Sequence, residues 1–248
     1  MPSPSAAVAS NDLGGDATAH YEGRDCARPP SAFYQNLVPP MVNLAIVGNP
    51  GVGKSAILNA LGGEFQSGYS EGTGLTTVIS KKQVTLNNIR FQLYDIPGIN
   101  DSPPAGGQDT IVKHLLMLQD ALNEGDHFVI IFVLQPTIGR IKPGDYMVMK
   151  TVIDSLREGP QIGLILNQAE PGAMLNYRSP RFSGLVWGPL EKIVESSNKK
   201  FLSRAPPLVL ADHGARAFNE DEASDILRFV LSFDPMPVIS RNMVDRVL

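Results

Sequence analysis

Apolar residues between positions 41 and 232 follow two spacings that alternate along the chain. Short, nearly continuous apolar runs are typical of parallel strands covered on both faces, and they occur at 41–48, 127–134, 162–168 and 207–212. Apolar residues at helical spacing predict helices between and after these strands, at 54–63, 109–125, 146–159, near 187–198 and from about 220. This succession predicts an α/β fold of three layers with right-handed crossovers.

The segment 83–95 predicts an antiparallel hairpin. Its two runs, "QVTL" and "IRFQLYD", are separated only by Asn87 and Asn88, a pair that suits a tight turn. Apolar and polar residues alternate along the second run, as in a half-buried strand. The sequence therefore predicts a mostly parallel six-stranded sheet with one antiparallel edge strand.

The sequence also predicts which face of one helix is buried and where two helices begin or end. Met149, Ile153 and Leu156 should face the core from a helix that runs on to a terminating glycine at position 159. Asn219 and Glu222 have the spacing of a capping box, which predicts the start of the final helix.

Composition sets limits on domains and location. Residues 1–40 are rich in Pro, Ser, Ala, Gly and Asp without periodicity, which predicts a flexible N-terminal tail. A folded domain should occupy 41–234, and 235–248 should form a C-terminal extension. Cys26 is the only cysteine, so an internal disulfide is impossible and a reducing, cytoplasmic location is expected.

Charge and hydropathy narrow the classes of partner. The 248 residues carry a formal net charge of −4, whereas nucleic-acid binding needs clustered Lys and Arg, so no nucleic-acid partner is expected. The longest apolar run, 128–134, is too short to cross a bilayer, and the amino terminus lacks the pattern of a secretory signal. No transmembrane segment is expected.

The stretch "AIVGNPGVGKS" at 45–55 contains candidate phosphate-binding chemistry. Gly48, Gly53, Lys54 and Ser55 match G-x-x-x-x-G-K-[ST] between a predicted strand and a predicted helix. In such a loop, glycines let backbone N–H groups converge on an anion, the lysine reaches the β and γ phosphates, and the hydroxyl can bind Mg²⁺. The predicted nucleotide-binding residues of this loop are Asn49, Pro50, Gly51, Val52, Gly53, Lys54, Ser55 and Ala56.

A second motif follows the hairpin. "DIPG" at 95–98 fits D-x-x-G, in which Asp95 would hold Mg²⁺ through water and the Gly98 N–H would meet the γ-phosphate. Gly98 would thereby couple the nucleotide to the segment 99–110, whose glycines and prolines suit a loop that refolds. In the intervening stretch 71–80, Thr76 could complete the magnesium coordination, and Thr77 is the alternative.

These motifs, in this order, resemble a translation-factor-related GTPase domain. "GNPGVGKSAILNAL", "GLTT" and "DIPGIND" are similar to the septin-like branch that contains the GTPases of the immunity-associated protein family and the chloroplast import GTPases. The resemblance covers roughly residues 41–232 and implies a Ras-like P-loop NTPase fold that binds GTP or GDP with Mg²⁺. Those families also carry an arginine-containing box, to which "TIGRIKPGD" at 137–145 is similar.

The base-binding end departs from the family pattern. Guanine is normally read by Asn-Lys-x-Asp, whose carboxylate accepts from the N1 and N2 donors of the base; here Asn167 matches, Gln168 replaces lysine and Glu170 replaces aspartate. Glu170 keeps the charge but reaches one methylene farther, so guanine preference is expected and an ATPase remains an alternative. His213 lies in the position of the final base-contacting loop.

The residues expected to support hydrolysis differ from those of Ras-type enzymes. Ile99 occupies the position where Ras-type enzymes carry a water-orienting glutamine. The resemblance implies catalytic help across a homodimer at the nucleotide face, with Arg140 as the candidate residue, beside Lys54, Thr76 and Gly98. The leading prediction is a slow GTPase switch that acts on an unidentified protein effector, and the alternative is a nucleotide-bound scaffold that does not hydrolyse.

Overall fold

The computed structural model describes residues 41–68, 77–99, 107–124, 127–137, 140–158, 162–179, 181–182, 188, 206–212, 214, 216–235 and 239–240. The predicted tail at 1–40 and nearly all of the helix predicted near 187–198 lie outside the described residues.

The predicted six-stranded sheet is confirmed. Its strand order is β2-β3-β1-β4-β6-β7, in which only the β2–β3 pair is antiparallel. The strands are β1 (Val42–Val47), β2 (Ser80–Leu86), β3 (Ile89–Asp95), β4 (Phe128–Leu134), β6 (Ile162–Ala169) and β7 (Leu208–Ala211). The β2–β3 turn is made by Asn87 and Asn88, both at positive φ (49° and 61°), a conformation that asparagine tolerates.

The structure describes five helices, of which all but the short one at 174–177 overlap a predicted helix. They are α1 (Lys54–Ala60), α2 (Gly107–Glu124), α3 (Pro143–Ser155), α4 (Met174–Tyr177) and α5 (Glu220–Leu231), with a 3₁₀ turn at Pro171–Ala173. Asn219 and Glu222 form the predicted capping box at the start of α5. No helix of the described part of the chain is long and apolar enough to span a membrane.

The helix predicted through position 159 ends earlier. Leu156 lies in a short strand, β5 (Leu156–Glu158), which pairs antiparallel with β8 (Ile239–Ser240). The prediction that Leu156 faces the core from a helix was therefore wrong. The strand partner comes from the other end of the chain, and helical spacing alone cannot reveal it.

The core lies on both faces of the sheet, as three layers require. Apolar residues of β1 alternate between the faces: Leu44 packs with residues of α1 and α5, and Ala45 packs with residues of α2 and α3. The predicted inward residues Met149 and Ile153 are fully buried. All seven residues of β4 are buried, because this strand lies in the middle of the sheet with helices on each side.

Candidate nucleotide site

The predicted phosphate loop connects β1 to α1 at the carboxyl edge of the parallel strands. Gly51 and Gly53 have φ values of 75° and 87°, which favour glycine because a Cβ is strained there. A Cβ on Gly48 would lie 2.3 Å from the Val133 carbonyl oxygen, so the loop starts pressed against β4. Gly53 is also the N-cap of α1 and offers no side-chain cap, which leaves the first amides of the helix for another acceptor.

Lys54 and Asn49 organise the interior of this loop. Lys54 is 7% exposed, and its ammonium donates to the Asn49 carbonyl oxygen at 2.9 Å. The Asn49 side-chain amide donates to the carboxylate of Asp145 on α3. Asn49, the second residue of the loop, therefore attaches the loop to the first turn of α3.

Asp145 is a buried carboxyl group with incomplete hydrogen bonding. Burial raises the pKa of Asp145, although the hydrogen bond from Asn49 and the charge of Lys142 act in the opposite direction. Within the described structure, neither Asn49 Oδ1 nor Asp145 Oδ2 has a hydrogen-bond partner. Protonated Asp145 could donate from Oδ2 to an acceptor, which is consistent with the direction of the pKa shift.

Two of the predicted magnesium-binding residues lie together. The Ser55 hydroxyl lies 3.0 and 2.9 Å from the two carboxylate oxygens of Asp95, which is 2% exposed at the end of β3. A hydroxyl and a carboxylate are hard oxygen ligands of the kind that Mg²⁺ takes together with substrate phosphates, so this pair fits a magnesium site. Thr77 is exposed, and Thr76 lies outside the described residues.

The D-x-x-G motif packs directly on the phosphate loop. A Cβ on Gly98 would lie 2.5 Å from the backbone nitrogen of Pro50, so only glycine allows this approach. The Ile99 amide donates to the Gly48 carbonyl at 3.4 Å, and the buried His114 Nδ1 lies 2.7 Å from the Gly98 carbonyl oxygen. A change at the Gly98 peptide would therefore reach both the phosphate loop and α2.

The predicted base-binding residues on β6 also contact the phosphate loop. The Asn167 side chain donates to the Val52 carbonyl at 2.9 Å, and Gln168 donates to the Gly51 carbonyl at 3.2 Å. Gln168 has a positive φ of 57°, and the β6–β7 register shifts between residues 166 and 169, so the strand bends where its side chains turn towards the loop. The base and phosphate motifs therefore form one assembly.

Four other predicted residues are less connected to this assembly or lie outside the described residues. Glu170 follows β6 and accepts a hydrogen bond from Tyr177 at 2.5 Å. Arg140 is exposed before α3, with backbone hydrogen bonds to Thr137, and its guanidinium has no described partner within the chain. Ala56 is half-buried on α1, and His213 lies outside the described residues.

A family model described as "50S ribosome-binding GTPase" matches residues 43–168, just over half of the chain. The match begins in β1 and ends at Gln168, so it spans the phosphate loop, the D-x-x-G motif and the start of the base motif. The chain belongs to this GTPase family. The predicted P-loop GTPase resemblance is thus confirmed, and its placement within the immunity-associated branch stays a prediction.

Curated relatives match this GTPase domain over part of their length. The chain is similar to the tRNA modification GTPase MnmE of Mycoplasmopsis pulmonis, with 37% identity over 91 residues, 37% of this chain and 20% of the relative. It is similar to MnmE of Thermosipho melanesiensis, with 29% identity over 133 residues, 54% of this chain and 27% of the relative. The Fe(2+) transporter FeoB of Staphylococcus aureus is 36% identical over 77 residues, 31% of this chain and 11% of the relative. The chain spans about a quarter or less of these relatives.

A solved structure of a chloroplast translocon GTPase superposes on the chain with a TM-score of 0.50 and 16% identity. The alignment covers 77% of this chain and 82% of that chain. At this identity the likeness shows the fold alone.

Sequence reasoning missed three residues that contact the GTPase site. Asp145 lies within the arginine-containing segment, but nothing in that motif indicates that its carboxyl contacts the phosphate loop. His114 and Tyr177 lie on α2 and α4, and their polar atoms reach Gly98 and Glu170. The sequence gives no signal for these two residues, because neither stands at a fixed spacing from a nucleotide motif. Only the contacts between separate elements of the fold reveal them.

Proposed function

We propose that this chain is a guanine-nucleotide switch that binds GTP or GDP with Mg²⁺ and hydrolyses GTP slowly, aided by self-association. The observation that carries the proposal is the attachment of the base motif to the phosphate loop by Asn167 and Gln168. A phosphate loop alone would suit any nucleoside triphosphate. Membership of the GTPase family supports guanine as the base.

The roles proposed at the phosphate end follow from charge and geometry. The loop amides and Lys54 would bind phosphate oxygens, since buried donors interact strongly with an anion. Ser55, Asp95 and either Thr76 or Thr77 would hold Mg²⁺, which neutralises phosphate charge when bound. The Gly98 N–H would respond to the γ-phosphate and pass the change to α2 through His114.

Hydrolysis is proposed to depend on a second copy of the chain. Ile99 is 1% exposed and apolar, so its side chain cannot orient an attacking water. Arg140 is exposed, and a cation brought to the γ-phosphate in trans is worth about 10³–10⁵ in rate in known GTPases. The superposed translocon structure is described as showing that dimerization is important for GTPase activity, which supports the same arrangement here.

The test is single-turnover phosphate release from GTP over a series of protein concentrations. We expect the rate per site to rise with concentration in the wild type and to stay low at all concentrations in Arg140→Ala. Arg90→Ala, which removes an exposed arginine of the β2–β3 hairpin, is the matched control and should keep the concentration dependence. A rate that is equal in wild type and Arg140→Ala at every concentration would exclude Arg140.

The buried Ile99 also favours a second candidate, a GTP-bound scaffold that does not hydrolyse. The same experiment separates the two, because the scaffold would release no phosphate even at the highest concentration. Competition of GTP and ATP against a fluorescent guanine nucleotide tests the base. Equal displacement by both would contradict a guanine switch and favour an ATPase.

A further inference from the structure

Glu170 and Tyr177 form a hydrogen bond that the nucleotide motifs do not predict. The Tyr177 hydroxyl lies 2.5 Å from Glu170 Oε2, and an ionised carboxylate can only accept, so the phenol is the donor. Glu170 stands where the family pattern has an aspartate. The contact therefore involves the one acidic group that would read the base.

The tyrosine is held rigidly. Tyr177 is 1% exposed, and its ring packs edge-on against Phe182 with the centroids 4.8 Å apart. The chain between the two partners is a closed turn, because the Ala173 amide donates to the Glu170 carbonyl at 2.9 Å. A phenol in this position keeps its hydroxyl at a fixed point relative to β6.

The backbone that carries Glu170 is also fixed. Asn167 and Gln168 attach the end of β6 to the phosphate loop, and the Asp212 amide donates to the Ala169 carbonyl at 3.0 Å. Glu170 itself is half-buried, so its carboxylate is only partly enclosed by protein. With the backbone held, the orientation of the Glu170 carboxylate depends on the contacts of its side chain, among them the hydrogen bond from Tyr177.

A longer acid needs such a restraint. Glutamate has one more rotatable bond than aspartate, and ordering that bond costs conformational entropy each time a base is bound. Two base N–H donors require a carboxylate in one position. One hydrogen bond from a tyrosine removes the extra freedom and uses only one of the roughly four lone-pair sites of the carboxylate.

We propose that Tyr177 is a specificity-determining positioning residue, which orients Glu170 so that a glutamate can accept from the N1 and N2 donors of guanine. This inference rests on the guanine site proposed above. Tyr177 acts through Glu170 and does not itself touch the base, so its removal should change base discrimination more than phosphate binding.

The test compares Tyr177→Phe with the wild type for binding of GDP, inosine diphosphate and ADP by calorimetry. Inosine lacks the 2-amino group, and adenine lacks both donors that a carboxylate would read. We expect Tyr177→Phe to lose about tenfold in GDP affinity, less in inosine diphosphate affinity and nothing for ADP, so the ratio of GDP to inosine diphosphate affinity falls. A merely structural loosening would lower all three affinities together and leave this ratio unchanged.

Tyr94→Phe is the matched control. The hydroxyl of the buried Tyr94 donates a hydrogen bond to Asn43 Oδ1 at 3.3 Å near the start of β1, away from the base end. This variant should keep the wild-type ratio. Thermal unfolding of both variants checks that the fold is retained.

A second pair of variants tests whether the tyrosine acts through the glutamate. In a Glu170→Asp background the acid is one methylene shorter and should no longer reach the phenol, so we expect Tyr177→Phe to have no further effect on the ratio. An equal effect of Tyr177→Phe in both backgrounds would overturn the proposal.

The two proposals fail in different ways. A wild-type protein that binds ADP as tightly as GDP has no guanine site, and the inference about Tyr177 is then wrong with it. A wild-type protein that prefers GDP, together with a Tyr177→Phe variant that keeps the full ratio of GDP to inosine diphosphate affinity, overturns the inference about Tyr177 alone.

Discussion

The phosphate end and the base end of the nucleotide site are built from different kinds of groups. The phosphate end offers main-chain amides, in a loop whose shape depends on left-handed glycines at 51 and 53. The base end depends on side chains, since Asn167, Gln168 and Glu170 each make a hydrogen bond with another element. A phosphate loop made of main-chain amides tolerates few sequences, because its conformation requires glycine at fixed positions. A base site made of side chains tolerates other residues, provided that new hydrogen-bond partners hold them in place.

The largest effect should follow from removing the cation at the phosphate end. Lys54→Ala deletes a buried ammonium, and we expect it to weaken GDP and ADP binding alike, by roughly 30- to 150-fold, measured by calorimetry. Lys82→Ala, which breaks an exposed ion pair with Glu64, is the control and should change neither affinity. Undiminished nucleotide binding by folded Lys54→Ala would remove the basis for a phosphate site.

The next-largest effect is expected from a substitution where the phosphate loop contacts the base motif. In Gly53→Ala the added Cβ would lie 2.3 Å from Asn167 Nδ2 at a φ of 87°, and we expect a loss of about 2 kcal/mol in the free energy of unfolding. Gly51→Ala meets open space at a φ of 75° and should lose only about 1 kcal/mol. Chemical denaturation measures both; equal losses would mean that the contact with Asn167 is unimportant.

A smaller effect is expected where the phosphate loop meets α3. Because burial raises the pKa of Asp145, the folded state prefers the neutral acid, and the stability that this preference provides below pH 4 is lost as pH rises through the raised pKa. Asp145→Asn stays neutral and can pair with both polar atoms of the Asn49 amide. We expect it to match the wild type near pH 4 and to exceed it by about 1 kcal/mol at pH 7.5 in chemical denaturation.

A stability difference between wild type and Asp145→Asn that is the same at both pH values would contradict this interpretation. Asp225→Asn is the control, since its exposed carboxylate pairs with Arg228 on the surface of α5 and should contribute little at either pH.

The smallest effect should come from restoring the family residue at the base end. Gln168 is half-buried and already donates to the Gly51 carbonyl, so Gln168→Lys replaces one donor with a charged one. We expect GDP affinity to rise by about threefold or less, because the gain of a charged hydrogen bond near the surface is partly screened. Competition binding measures this, and a large loss would show that the amide has a role that lysine cannot fill.

Most of the sheet and the phosphate end could be predicted from the sequence. The apolar runs predicted four strands of the main sheet, and the hairpin around Asn87–Asn88 predicted the other two. Ser55 and Asp95 could be placed together because the phosphate-loop and D-x-x-G motifs assign both to one magnesium ion, and they do lie together at the carboxyl ends of β1 and β3. The β5–β8 pair could not be predicted, since it joins residues about eighty positions apart without a local pattern.

The sequence by itself determined the candidate phosphate loop, because glycine conformation, strand ends and a lysine–serine pair act over a few neighbouring residues. Only the tertiary structure decided which groups support those residues. Asp145 reaches Asn49 from α3, His114 reaches Gly98 from α2, and Tyr177 restrains Glu170 from α4. These contacts depend on how separate helices pack on the sheet, and packing is a property of the whole core rather than of any one segment.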